Sequence, residues 1–169
     1  RVMADVILAN PEVSVQTKPA RHALWWQLGM AGILTLGFGL VNWHWLSVNI
    51  VTYGWDRMDH LITSLAYNDI LHTLSLQSIF NALVYSNYYP PFVHFGVWAL
   101  YKLFGINEDV AVMVNVLYLF VLLMATWSIA IHMGGAPVAA LTVTLLGLFP
   151  MIYAMSRYLY LDFALTAMV

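Results

Sequence analysis

"PPFVHFGVWALYKLFG", residues 90–105, decides how the chain is threaded. Its apolar run is about 14 residues long, whereas a helix needs roughly 20 to cross the hydrocarbon core of a bilayer. Lys102 near its end also resists burial in lipid. The proline pair Pro90–Pro91 cannot sit inside a helix but can open one, and Gly105 marks its stop. The segment therefore reads as a short helix lying at the membrane surface or re-entering it. If it does not cross, the flanking polar segments lie on the same face of the membrane.

Those flanks are unusual because so little of the chain is polar. The sequence is 62% hydrophobic and 8% charged, against roughly 25% charged in soluble domains. This composition indicates an integral membrane protein. The net charge of −2 is scattered, with no basic stripe to suggest nucleic acid. With no cysteine, disulfides, thiolate zinc sites and thiol nucleophiles are excluded.

Upstream, residues 22–55 contain no Asp, Glu, Lys or Arg. "HALWWQLGMAGILTLGFGLVNWHWL" is long enough to span, with Trp25, Trp26, Trp43 and Trp45 near its ends as interfacial aromatics. Residues 1–22 form a polar lead-in whose Arg1, Lys18 and Arg21 place the N-terminus in the cytoplasm. The lead-in lacks the apolar core and cleavage site of a secretory signal. Downstream, residues 110–156 are again free of those four residue types, and "MGGAP" interrupts them with a turn signal. Two further spans are expected, roughly 110–132 and 136–156. "LDFALTAMV" reads as the start of a fourth, so the chain is expected to be the front of a longer protein.

The expected fold is thus all-α and integral to the membrane. It has about three complete transmembrane helices, the start of a fourth, and an external juxtamembrane region over about 47–108. In "DRMDHLITSLAYNDIL" the apolar Met58, Leu61, Ile62 and Leu65 recur at helical spacing, which predicts an amphipathic helix on the membrane surface. "LSLQSIFNALVY" is a candidate for a second.

Two ionisable clusters stand out. Asp56, Arg57, Asp59 and His60 fall within five positions, and on a helix Asp56 shares a face with both Asp59 and His60. Capping and dipole compensation at a helix start would also account for these acids. Arg157 and Asp162 in "SRYLYLD" form the second cluster, with an interfacial anchor and a helix cap as the plain alternative. Threading by the short-helix reading brings both to the external face. His44, His94 and His132 lie on apolar segments and are open to pigment or haem ligation. His60 and His72 with Asp56 and Asp59 are open to a divalent metal, although their spacing is no recognised zinc pattern.

Three stretches in order, "WDRMDH", "YPPFVHFGVWALYKLFGINED" and "SRYLYLD", resemble the N-terminal part of the GT-C membrane glycosyltransferases. The branch is that of the bacterial relatives of protein O-mannosyltransferases, the lipid A aminoarabinose transferases and the RgtA–D-like enzymes. The resemblance covers residues 23–169, which would be the N-terminal portion of a GT-C-like transmembrane domain. It implies transfer of a sugar from a polyprenyl-phosphate donor to a hydroxyl acceptor (a lipid, glycan or protein) at the external face of the bacterial inner membrane. On this resemblance Asp56 is the base, Asp162 shapes the donor or acceptor site, and Arg57 and Arg157 are candidates for the phosphate. Asp59 and His60 are further participants. Two positions depart from the family pattern. Arg57 stands where a second acid is common, and Tyr89 stands where a phosphate-binding Lys is common. The rival reading is a non-catalytic GT-C-like subunit that packs against other membrane subunits.

Overall fold

The structure is a computed structural model, and it describes residues 21–49, 54–85 and 89–169. Most of the expected lead-in, residues 1–20, lies outside the described residues. Among the described residues the fold is all-helical. The helices are α1 (Arg21–Val48), α2 (Trp55–Ile70), α3 (Leu76–Tyr85), α4 (Phe92–Phe104), α5 (Glu108–Val112), α6 (Val114–Gly147), α7 (Pro150–Met155) and α8 (Leu161–Met168).

Two helical stretches are long and apolar enough to cross a membrane, Leu24–Val48 and Glu108–Gly147. The second is not one straight rod. Gly134 (φ −157°, ψ 18°) and Gly135 (φ 75°, ψ −172°) leave helical geometry inside α6, where the "MGGAP" signal predicts a turn. Side-chain contacts with α1 show that the chain reverses there. A Cβ on Gly39 would touch Val116, and one on Gly147 would touch the ring of neighbouring Phe38. Residues 116 and 147 therefore sit at one level of α1, yet a straight helix would hold them roughly 45 Å apart. Residues 114–133 descend along α1 and residues 136–147 climb back. Gln27 Nε2 bonds Met124 O at 3.0 Å and Ser128 Oγ at 2.8 Å on the descending limb.

The expected segment 136–156 is divided, however. Phe149 is extended (φ −64°, ψ 123°) and Pro150 opens α7. Proline cannot donate the N–H that would continue the helix, and it pushes the preceding residue out of the α region.

α1 carries Leu24, Trp25, Ile33, Leu36 and Leu40 to its outer surface, all at least half exposed. Its inner line, with Ala31, Thr35, Asn42 and Leu46 buried, meets α6. Small residues allow that approach, as Gly39 against Val116 and Gly147 against Phe38 illustrate.

The short helices gather at the end of the bundle where α1 finishes and α6 begins. α4 starts directly after Pro91 and stops at Gly105, whose φ of +88° suits glycine. Its 13 residues reach about 20 Å at 1.5 Å per residue, and it packs on α2, α5 and the first turns of α6. Gly96 makes the last contact close, since a Cβ there would lie 2.7 Å from Val114 Cγ2. Asn107 accepts from Asp109 N at 2.8 Å and caps α5.

α2 has a polar underside. Arg57, His60, Ser64 and Asn68 are buried with Leu61 and Tyr67, while Met58, Ile62 and Leu65 face outward. The apolar set Met58, Leu61, Ile62 and Leu65 lines one groove, with Leu61 the most buried of the four. A second small core of Tyr67, Leu71 and Ala82 joins α2, α3 and α4.

Candidate functional site

The site begins where two helix starts meet. Gly54 is the N-cap of α2 and Tyr160 that of α8. A Cβ on Gly54 would stand 3.2 Å from the Tyr160 hydroxyl. Asp56 and Asp162 each occupy the second position of their helix. Neither is the capping residue. Each places a carboxylate at the positive end of a helix dipole. Both are exposed, as is Asp59. The clusters singled out in the sequence thus come together at one surface.

His60 lies beneath them, 4% exposed. Burial holds its imidazole below its ordinary value, against the upward pull of Asp59, Asp56 and Asp162. The ring of Tyr89 meets it edge-on at 4.7 Å between centroids, and His94 lies behind it at 5.7 Å. Tyr89 and His60 therefore both belong to this corner.

Arg57 points elsewhere. Its side chain is 1% exposed and paired with Glu108 of α5. On a helix, residue 57 is turned about 100° from residue 56, so the guanidinium enters the fold while Asp56 faces out. The expectation that Arg57 offers itself to a phosphate is corrected by this placement: Arg57 joins α2 to α5. Burial and the nearby Glu108 also push the Tyr101 phenol up to about 12.

Arg157 is the more available cation. It is half-buried, with Cζ 3.8 Å from the Tyr153 ring centroid and 4.6 Å from that of Trp45. Its Nε donates to Asn42 Oδ1 at 3.1 Å. The aromatic faces favour a cation and the amide fixes its plane. Asn42 Nδ2 donates to Ser156 Oγ at 2.8 Å. Asn115 Nδ2 donates to Ser156 O at 3.2 Å and Tyr158 O at 2.7 Å. These two buried amides, which the sequence reading passed over, hold the "SRY" turn against α1 and α6. Each is a lone Asn in a long apolar run, and that is the signal by which they could have been found. Below Arg157, a groove of about 640 Å³ between α1 and α7 is lined by Ile33, Gly37, Phe38, Val41, Leu148 and Tyr153, among others.

Among the described residues, His44, His72 and His132 do not assemble. His44 and His132 are exposed, and His132 Nδ1 lies 2.7 Å from Ser128 O near the far turn. His72 sits beyond the opposite end of α2 from Asp56. Among the described residues no three His, Cys, Asp or Glu side chains are arranged to hold a metal ion.

Compared with protein-family models, with curated proteins and with solved structures, the chain matches none.

Proposed function

We propose that this chain belongs to a membrane glycosyltransferase of the GT-C type, one that moves a sugar from a polyprenyl-phosphate donor to a hydroxyl acceptor at the external face of a bacterial inner membrane. The observation that carries the reading is the meeting of Asp56 and Asp162 over His60, with a stacked, amide-held Arg157 on the same end of the bundle. The external region consists of α2–α5, and the N-terminus is cytoplasmic.

In this reading the lipid tail of the donor lies against the apolar bundle, where the groove beside Phe38 and Tyr153 gives it a course that ends at Arg157. The guanidinium balances the phosphate as it departs. Asp56 accepts the proton of the attacking hydroxyl. Asp162 and Tyr89 shape the sugar or acceptor pocket, with Asp59 at its edge.

The test is sugar transfer by the full-length protein in lipid, from a polyprenyl-phosphate sugar to a hydroxyl acceptor. Asp56→Asn should lower the rate at least a hundredfold, as loss of a positioned base does. Transfer at the wild-type rate would remove Asp56 from the mechanism.

One observation favours the second reading, a non-catalytic GT-C-like subunit. The position after Asp56, acidic in much of the resembled family, is spent here on the buried Arg57–Glu108 pair. Co-purification with a separate transferase, with no turnover by this protein alone, would decide for the subunit.

A further inference from the structure

Two imidazoles are buried one behind the other beneath the exposed carboxylates, and Ser64 fixes the hydrogen of the inner one. The Ser64 hydroxyl has a single hydrogen, which goes to the His60 carbonyl oxygen at 2.8 Å. The same Oγ lies 3.0 Å from His94 Nδ1. With its hydrogen already committed, Oγ accepts here, so neutral His94 carries its hydrogen on Nδ1 and a lone pair on Nε2. His94 is fully buried, and its Nε2 has no hydrogen-bond partner among the described residues; the same is true of His60 Nδ1. Buried polar atoms are ordinarily bonded, so each exception calls for an explanation. These two lie in adjacent rings, 5.7 Å apart, at the inner edge of the carboxylate corner.

The titratable groups around His60 come from every side. Asp56 and Asp59 approach from its own helix, Asp162 from α8, His94 from α4 and the Tyr89 ring from the segment before α4. The carboxylates favour a charged imidazole, while burial opposes it. Burial and the neighbouring His60 push His94 down to about 4, so His94 stays neutral when its neighbour gains a proton. Asp56 and His60 are one helical turn apart and share a face.

We propose that Asp56 and His60 exchange a proton: His60 is a positioning residue that draws off the proton Asp56 receives, and the buried His94 ring, held by Ser64, packs behind it. The use made of this exchange rests on the glycosyl-transfer reading. The acceptor oxygen bonds to the anomeric carbon as the bond from that carbon to the phosphate oxygen breaks, and the released electron pair stays on the phosphate. The hydroxyl proton passes to an Asp56 carboxylate oxygen and then to the His60 ring, restoring the carboxylate. It leaves His60 for solvent before the next turnover.

Ring-nitrogen NMR of the full-length protein in lipid nanodiscs reads the exchange without any turnover. Asp56→Asn, a change at an exposed position, should lower the His60 titration midpoint, because a negative neighbour that favours the charged ring is gone. An unchanged midpoint overturns the proposal. In the transfer assay, the wild-type rate should fall with pH through the His60 titration, since a charged ring accepts no proton. His60→Gln should lower the rate about a hundredfold and abolish that limb, and a variant that keeps the wild-type profile overturns the proposal. If the wild-type chain transfers no sugar while His60 still follows Asp56, the glycosyl-transfer reading falls and the proton coupling is supported.

Discussion

Arg57 of α2 and Glu108 of α5 form an ion pair in which the guanidinium is almost wholly buried and the carboxylate is 30% exposed. The pair fastens the helix that carries Asp56 to the start of the long apolar hairpin. Removing one partner of a buried pair takes away the opposite charge against which the other was buried. Glu108→Ala should therefore destabilise the fold by roughly 3 kcal/mol, seen as a lower thermal midpoint in detergent. Replacing both residues by apolar ones, as in Arg57→Met with Glu108→Leu, should recover most of that loss. A single variant with wild-type stability would show that the pair contributes nothing.

The reversal in α6 depends on Gly135. Its φ of 75° with ψ of −172° belongs to a backbone region that only glycine occupies readily. Gly135→Ala should cost on the order of 1–3 kcal/mol. Gly134 has no such strain at φ −157°, but a Cβ there would lie 2.9 Å from Val138 Cβ and 2.5 Å from its Cγ2. Gly134→Ala should therefore be rescued by Val138→Gly, which removes both of those carbons, and Gly135→Ala should not. Thermal midpoints of the four variants test the distinction.

Stability should fall on mild acidification. Both buried imidazoles titrate below the ordinary value of 6.5, His94 at about 4. Between those two values the unfolded chain binds protons that folded His94 refuses, so stability rises with pH through this window. The contribution of His94 is complete above about pH 6.5 and is lost progressively toward pH 4. It amounts to on the order of 3 kcal/mol. His94→Gln should flatten the slope of unfolding free energy against pH between 4 and 6.5. A variant with the same slope would assign the acid sensitivity to other groups.

Much of the fold follows from local chemistry that the sequence displays. Pro90–Pro91 and Gly105 bracket α4 because one lacks a donor and the other tolerates positive φ. Gly134 and Gly135 divide α6 for similar reasons. The meeting of residues 54–60 with 157–162 was readable from segment lengths, since a helix as short as α4 leaves both clusters on one side. Side-chain direction was less legible. The spacing of Met58, Leu61, Ile62 and Leu65 marked the apolar face of α2, but it gave no sign that Arg57, His60 and Ser64 would be buried on the other side. Pattern alone could not say that Arg57 would find Glu108 across 51 positions. Nor could it say that Asn42 and Asn115 would share Ser156, because a single amide in an apolar run has no periodicity to reveal its partner.

Asn115 provides the sharpest test of how the site is held. Its amide nitrogen serves the carbonyls of Ser156 and Tyr158 from a fully buried position. Asn115→Ala would leave the Ser156 carbonyl without its donor and the Tyr158 carbonyl with Tyr160 N alone, at a cost of about 1–3 kcal/mol. The loss should not stop at stability. Ser156 also receives Asn42, and Asn42 in turn holds Arg157 Nε, so loosening the turn should let the guanidinium leave its place over Tyr153. Quenching or shift changes at Trp45, the other ring beneath Arg157, would register that movement. Asn42→Ala should produce the same optical change, since it removes the amide that fixes Arg157 directly. If Asn115→Ala lowers stability while the Trp45 signal is unchanged, then Asn115 supports the bundle and the placement of Arg157 is due to Asn42 and the two aromatic rings alone.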